Sequence, residues 1–215
     1  MPIFQLGKDL VFPNPKLAED GILAIGGDLC PERLLLAYTN GIFPWYNKGE
    51  PIIWHAPNPR FVLYPSKFKM SKSLKSLYNK GKYKITFNQD FESVIKNCQQ
   101  VDREFQEDTW ITNDMFKAYC QLHKLGFAKS VEVYNKDHKL VGGLYGVHIG
   151  DVFFGESMFH LESNTSKLAF AYLIQHVKPA IIDCQVHTEH LESLGGEHIS
   201  LAAFQAELDK NMKLK

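Results

Sequence analysis

The sequence lacks most of the features that would place it at once. No apolar run approaches the length of a membrane span. The start, Met1-Pro2-Ile3-Phe4-Gln5-Leu6-Gly7-Lys8, has no long apolar stretch behind a basic residue, so neither a leader nor a membrane anchor is expected. The four cysteines, Cys30, Cys98, Cys120 and Cys184, form no C-x-x-C pair and share no regular spacing. Each lies in an apolar or helical context, which predicts buried free thiols in a reducing compartment and a soluble cytoplasmic protein. There is no Gly-x-Ser-x-Gly turn, no Gly-x-x-x-x-Gly-Lys-Ser/Thr loop and no dinucleotide fingerprint. Net charge is absent too: 24 Lys and Arg balance 24 Asp and Glu over 215 residues, which excludes a uniformly basic nucleic-acid-binding domain but not a locally basic one.

Acidic residues are missing from one stretch in particular. Between Arg60 and Lys84, 25 residues hold eight basic side chains (Arg60, Lys67, Lys69, Lys72, Lys75, Lys80, Lys82 and Lys84) and no Asp or Glu. The other 190 residues therefore carry a net charge of −8. Lys69, Lys72 and Lys75 share helical spacing and would present one cationic face. A polyanion-binding role is favoured by the absence of any compensating carboxylate, and a solvated lysine-rich surface is the alternative. The nearby aromatics Trp45, Tyr46, Trp54 and Tyr64 would either stack on bases or pack a small domain.

What is present reads as α+β, with a small N-terminal domain (1–60) before a larger domain (61–215) built on a mixed, mostly antiparallel sheet. The first sixty residues are punctuated by Gly, Pro and aromatics, with one helix from Pro31 to Tyr38 that has Pro at its start and Gly41 past its end. Cys30 falls at its N-cap, with Asp28 close enough to help. Strands are predicted at Phe61 to Tyr64 and Tyr83 to Phe87. Helices follow, one capped by Asp90 and one from about Asn113 to Leu125. A three-stranded antiparallel meander is expected over Ser130 to Tyr134, Leu140 to His148 and Val152 to Glu156, turning at Asn135-Lys136-Asp137 and Gly150-Asp151. Next come a helix from Thr165 to Val177, a buried strand Ala180 to Cys184, and a last helix capped by Ser200. Gly26-Gly27 and Gly142-Gly143 read as turn or close-packing glycines.

Two carboxylates stand out. Glu156 follows the apolar run Val152-Phe153-Phe154-Gly155, so it needs either a cationic partner or a raised pKa; Asp183 follows Ala180-Ile181-Ile182 in the same way. Acids ending two buried strands suggest a site at the sheet edge, with structural capping as the alternative for either one. Cys184-x-x-His187-x-x-His190, with His198 beyond, has the ligand types of a zinc site, but that spacing does not keep one face on a strand, and no metal is expected.

The ordered stretches Leu23-Ala24-Ile25-Gly26-Gly27-Asp28-Leu29, Gly41-Ile42-Phe43-Pro44-Trp45, Pro57-Asn58-Pro59-Arg60, Thr109-Trp110-Ile111, Ala118-Tyr119, Leu140-Val141-Gly142-Gly143-Leu144-Tyr145-Gly146-Val147, Phe154-Gly155-Glu156-Ser157-Met158-Phe159, Asn164-Thr165-Ser166-Lys167, Ile182-Asp183-Cys184-Gln185 and His190-Leu191-Glu192-Ser193-Leu194-Gly195 together resemble the bacterial leucyl/phenylalanyl-tRNA–protein transferases. That resemblance implies a C-terminal domain like the acetyltransferase superfamily. It also implies an enzyme that moves Leu, Phe or less readily Met from aminoacyl-tRNA to the N-terminal Arg or Lys of a protein, marking it for degradation. No metal, coenzyme A or other cofactor is implied, and a monomer is expected. By motif, Asp183 and Gln185 form the catalytic pair, and Glu156 faces the amine or the cationic acceptor side chain. Trp45 and Trp110 hold the terminal adenosine, and Leu144, Phe153, Met158 and Ile182 line the pocket for the transferred side chain. The chain departs from the family pattern at His55, Lys129, Tyr134, His160 and Leu201. Rival readings are acyl transfer from coenzyme A, for which the Gln/Arg-x-x-Gly-x-Gly/Ala loop is missing, and a non-catalytic RNA-binding module.

Overall fold

Helix starts are set by short polar side chains that accept from the first free backbone N–H groups. In the computed structural model, which describes residues 3–101 and 110–212, Ser71 accepts from Leu74 N, Asp90 from Ser93 N, Thr112 from Met115 N and Ser200 from Ala203 N. The helices so begun are α2 (Lys72–Asn79), α3 (Phe91–Gln100), α4 (Asn113–Lys124) and α7 (Leu201–Asn211). Before them, α1 (Pro31–Thr39) starts at Cys30 with no side-chain cap, while Asp28 accepts from Cys30 N at 3.0 Å. Met1, Pro2 and Thr109, quoted above, lie outside the described residues.

Two sheets follow from the strand patterns. The smaller one has β1 (Phe4–Leu6), β2 (Ile22–Gly26), β3 (Phe43–Pro44) and β4 (Ile53–His55) in the order β1-β2-β4-β3. The larger has seven strands: β5 (Arg60–Leu63), β6 (Lys84–Phe87), β7 (Ala128–Tyr134), β8 (Leu140–Ile149), β9 (Val152–His160), β10 (Ile181–Gln185) and β11 (Glu197–Ile199). Their order is β11-β5-β10-β9-β8-β7-β6, and every neighbouring pair is antiparallel except β9 with β10. The chain is thus α+β, with a mixed sheet and a small N-terminal region. The predicted meander is β7-β8-β9, and Asn135 Oδ1 closes its first turn by accepting from Asp137 N and Lys139 N. Between β9 and β10 run α5 (Thr165–Tyr172) and a wide π-helical turn, Leu173–Val177. The short α6 (Glu189–Ser193) precedes β11.

One core cluster runs from Leu23, Tyr38 and Trp54 of the N-terminal part to Tyr119, Val147, Phe154 and Phe204, so the two parts share buried apolar surface. A second cluster on the other face of the large sheet holds Phe61, Leu63, Leu144, Phe153 and Ile182. Strand alternation explains the division: Phe153 and Phe154, or Ile181 and Ile182, point to opposite faces.

The two glycine pairs serve different needs. Gly26 and Gly27 both have positive φ, 85° and 73°, and make a turn. Gly142 and Gly143 lie inside β8, where a Cβ would run into Thr165 and into the carbonyl oxygen of Val131 respectively. Gly146 is tighter still, because a Cβ there would strike Phe154 O and lie 2.6 Å from the Phe153 ring. Gly146→Ala is therefore expected to destabilise the fold by about 1–3 kcal/mol and to push Phe153 off its position. Urea denaturation of the variant checks this, and an unchanged midpoint would show that the strand yields freely.

Candidate active site

The site forms where the parallel pair parts. The pairing of β9 and β10 ends at Phe154↔Asp183. Beyond it β9 continues to His160 beside β8, whereas β10 stops at Gln185, whose backbone is left-handed with φ 64°. Both strands also carry an irregularity at this level. Tyr145 pairs with Ser157 and Gly146 with Gly155, so Glu156 is the extra residue of a bulge. Asp183 pairs with Val62 and Gln185 with Phe61, so Cys184 is the extra residue of another. Bulges re-aim side chains, and here they turn two acids and an amide toward one point. The sequence places this site at a sheet edge; the structure corrects that, since β9 and β10 are interior strands.

A cavity of about 650 Å³ opens at this parting. It brings together all nine residues expected to act on substrate: Trp45, Trp110, Leu144, Phe153, Glu156, Met158, Ile182, Asp183 and Gln185. Leu144, Phe153, Met158 and Ile182 make one apolar wall, to which Phe170 and Leu191 add. Trp45 is 38% exposed and Trp110 only 7%. His55 fixes the segment that carries Trp45, with its Nε2 2.9 Å from Trp45 O and its ring stacked on Phe43.

The two acids are handled in opposite ways. Asp183 is fully buried and paired twice with fully buried Arg60, at 2.8 Å from Nε to Oδ1 and 2.7 Å from Nη2 to Oδ2. The guanidinium sits over the Phe43 and Phe204 rings at 4.6 and 4.8 Å. Asp183 Oδ1 also accepts from Gln185 N at 2.9 Å, which holds the left-handed turn at Gln185. Glu156 has hydroxyls and an amide as partners instead of a cation. The Tyr38 hydroxyl lies 2.8 Å from Oε1, the Tyr119 hydroxyl 2.8 Å from Oε2, and Gln185 Nε2 donates to Oε1 at 2.9 Å. Burial raises the Glu156 pKa from 4.5 to about 7, with the Asp183 charge pushing the same way and the three hydrogen bonds opposing. Desolvation, followed by the Glu156 charge, holds the Tyr38 and Tyr119 phenols well above their ordinary range.

Three expectations change on this geometry. Arg60 is no part of a polyanion-binding face: it is fully buried as the counterion of Asp183. Glu156 lines the cavity, but not as a bare carboxylate: Oε1 is already hydrogen-bonded to Tyr38 and Gln185, and Oε2 to Tyr119. Lys69 shares no helix with Lys72 and Lys75, since α2 starts only at Lys72. Lys67, Lys69, Lys72, Lys75, Lys80, Lys82 and Lys84 are all exposed, and of these Lys67 is paired with Glu197 at 2.5 Å. The Cys184, His187 and His190 side chains do not converge on one point: Cys184 Sγ turns to Ile182 O, His187 pairs with Glu192 and stacks on His198, and His190 Nε2 is buried without a hydrogen-bond partner among the described residues. Among the described residues no group of three or more His, Cys, Asp or Glu is placed to hold a metal ion, and no helix is long and apolar enough to cross a membrane. Sequence reasoning gave no site role to Tyr38 or Tyr119, although Ala118-Tyr119 is one of the family-like stretches, and it missed the Arg60–Asp183 pair. That a buried acid needs a partner was legible, but not which one.

Comparison with known proteins shows the family of the chain. The sequence profile of the family described as "Leucyl/phenylalanyl-tRNA protein transferase" matches residues 62–209, and that of its N-terminal domain matches residues 27–58. A leucyl/phenylalanyl-tRNA–protein transferase of Flavobacterium johnsoniae is 54% identical over 208 residues, covering 95% of this chain and 98% of the relative. One of Syntrophus aciditrophicus is 50% identical, covering 99% and 90%. Among solved structures, L-PGS from Bacillus licheniformis aligns at TM-score 0.43 and 11% identity over 84% of this chain and 62% of its own. A GCN5-related N-acetyltransferase from Kribbella flavida aligns at 0.37 and 10%, over 79% and 61%. The chain is an enzyme of the transferase class. It belongs to the leucyl/phenylalanyl-tRNA–protein transferase family.

Proposed function

We propose that the enzyme transfers Leu, Phe or less readily Met from aminoacyl-tRNA to the N-terminal Arg or Lys of a protein, marking that protein for degradation. The observation that carries this reading is the cavity, which joins an apolar wall of Leu144, Phe153, Met158 and Ile182 to a polar end at Gln185. A pocket of that kind accepts several apolar side chains together, because a methylene is worth only about 1–3 kcal/mol of discrimination. Trp45 and Trp110, on the same cavity, suit stacking on the terminal adenosine.

The donor ester is already activated, so the protein mainly aligns an amine with its carbonyl carbon. Gln185 Nε2 is occupied by Glu156, which leaves Gln185 Oε1 as the acceptor that orients an N–H of the incoming amine. A carboxamide is not basic enough to keep the proton. As the C–N bond forms and the ester C–O bond breaks, the amine proton passes to the departing ribose oxygen, with the neighbouring ribose hydroxyl as carrier. Asp183, locked to Arg60, positions Gln185 and is not the base.

A transfer assay with labelled Leu-tRNA and Arg-initiated, Lys-initiated and Ala-initiated peptides tests the reading. Label is expected on the first two; equal labelling of all three would remove the acceptor rule. The exposed lysines are assigned to the tRNA phosphates. Replacing Lys69, Lys72 and Lys75 together by Ala is expected to weaken tRNA binding and to reduce the slope of log K against log salt by about 2–3. Lys67→Ala should change it less, because Glu197 already neutralises Lys67. An unaltered slope in the triple variant would return that face to plain solvation.

A further inference from the structure

Proton counting at Glu156 gives more than its neighbours' names. Four oxygens of three residues are linked by three contacts: Tyr38 with Glu156 Oε1, Tyr119 with Glu156 Oε2, and Tyr38 with Tyr119 in a short hydroxyl–hydroxyl contact. Each oxygen–oxygen contact needs one proton between its lone pairs. The two phenols supply two protons. With an ionised Glu156, one of the three contacts is left with lone pairs facing each other inside the protein, where nothing screens them. A protonated Glu156 supplies the third proton, and the ring closes head to tail. Glu156 Oε2–H donates to Tyr119, Tyr119 to Tyr38, and Tyr38 to Glu156 Oε1. Oε1 is then a carbonyl oxygen, which accepts from Gln185 Nε2 as well.

We propose that Tyr38 and Tyr119 hold Glu156 as a neutral carboxylic acid, and that these three are positioning residues that fix the amide of Gln185 with its nitrogen toward Glu156 and its oxygen toward the acceptor amine. The charged and titratable groups around Glu156 agree. Tyr38 comes from α1, Tyr119 from α4 and Tyr145 from β8, while among the described residues Asp183 on β10 is the acid beside Glu156 and Arg60 on β5 pairs with it. Of two neighbouring acids, one takes a guanidinium and the other keeps a proton, as when environments push two carboxyl groups apart. The polar end of the cavity is thereby electroneutral. An ammonium gains little there over a free amine, and the free amine is the form that attacks an ester. Ionising Glu156 would put an uncompensated negative charge beside Gln185 and hold the acceptor as its unreactive ammonium.

The proton state rests on the heavy-atom geometry alone, whereas its effect on rate rests on the transfer reaction proposed above, so two measurements separate them. Infrared difference spectra of the intact protein between pH 6 and 9 should show a protonated-carboxyl C=O stretch at the lower pH that is absent from Glu156→Gln. Identical difference spectra for the two proteins would overturn the proposal whatever the enzyme transfers. In the transfer assay, Glu156→Gln, which keeps the neutral donor-and-acceptor pattern, should stay within about tenfold of the parent kcat/KM, whereas Glu156→Ala should lose about 100-fold. The parent's kcat/KM should fall on the alkaline side as Glu156 ionises, and that fall should be missing from the Gln variant. A folded Glu156→Gln protein as inactive as Glu156→Ala would mean that a carboxylate is required and would overturn the assignment.

Discussion

Asp183→Ala is expected to abolish transfer and to lower folding stability by about 3–5 kcal/mol. Both effects come from the same pair. Arg60 and Asp183 have no exposed side-chain surface, and among the described residues the carboxylate is the guanidinium's ionic partner. Arg60 Nη1 is buried without a hydrogen-bond partner, so the cation is held by two bonds to Asp183 and by the Phe43 and Phe204 rings. Removing the carboxylate leaves that cation in an apolar interior with no counterion. It also removes the acceptor for Gln185 N, and with it the left-handed turn that aims the amide. The double variant Arg60→Met, Asp183→Ala should recover most of the stability and none of the activity, because it deletes the buried charge but leaves Gln185 unheld. Urea denaturation beside the transfer assay measures both. A single variant as stable as the parent would show that the pair adds nothing to the fold.

Stability is also expected to fall as pH rises from 5 to 8, and Glu156 should account for about 3 kcal/mol of that fall. Its pKa is 4.5 ordinarily and about 7 in the folded chain. Between those values the folded protein keeps a proton that the unfolded chain releases, so raising the pH favours unfolding. Below 4.5 both states are protonated and Glu156 contributes no slope; above about 7 both are ionised and the loss is complete. Glu156→Gln cannot ionise, and its stability relative to the parent should therefore increase through the same window. Denaturation midpoints at four pH values for the two proteins decide the matter, and parallel curves would refute the assignment. This is the opposite sign to an ordinary ion-paired carboxylate, whose contribution disappears on acidification.

Much of the local structure was legible because its causes are local. Pro31 and Gly41 bracket α1, Asp90 and Ser200 cap α3 and α7, and Asn135 closes the turn between β7 and β8. Short strands such as β3 and β11 were not legible, since two or three residues carry no period and are strands only through their neighbours. The cationic segment was legible as composition, but its geometry was not. Arg60 looks like the first of eight similar charges, yet it is the start of β5 and points inward.

The sequence by itself determined most of the elements and the ordered motifs of the family, because these are properties of residue type and spacing along the chain; the nine residues that meet at the cavity were expected through the resemblance those motifs carry. Only the tertiary structure decided what the two acids are. Arg60 lies 123 residues from Asp183, and Tyr38 and Tyr119 lie 118 and 37 from Glu156. Whether a buried carboxyl group is ionised depends on which groups the fold brings within about 3 Å of its oxygens, and at such separations no local pattern specifies that. Packing supplied one acid with a guanidinium and the other with two phenols, and so divided two similar residues into a fixed charge and a neutral donor.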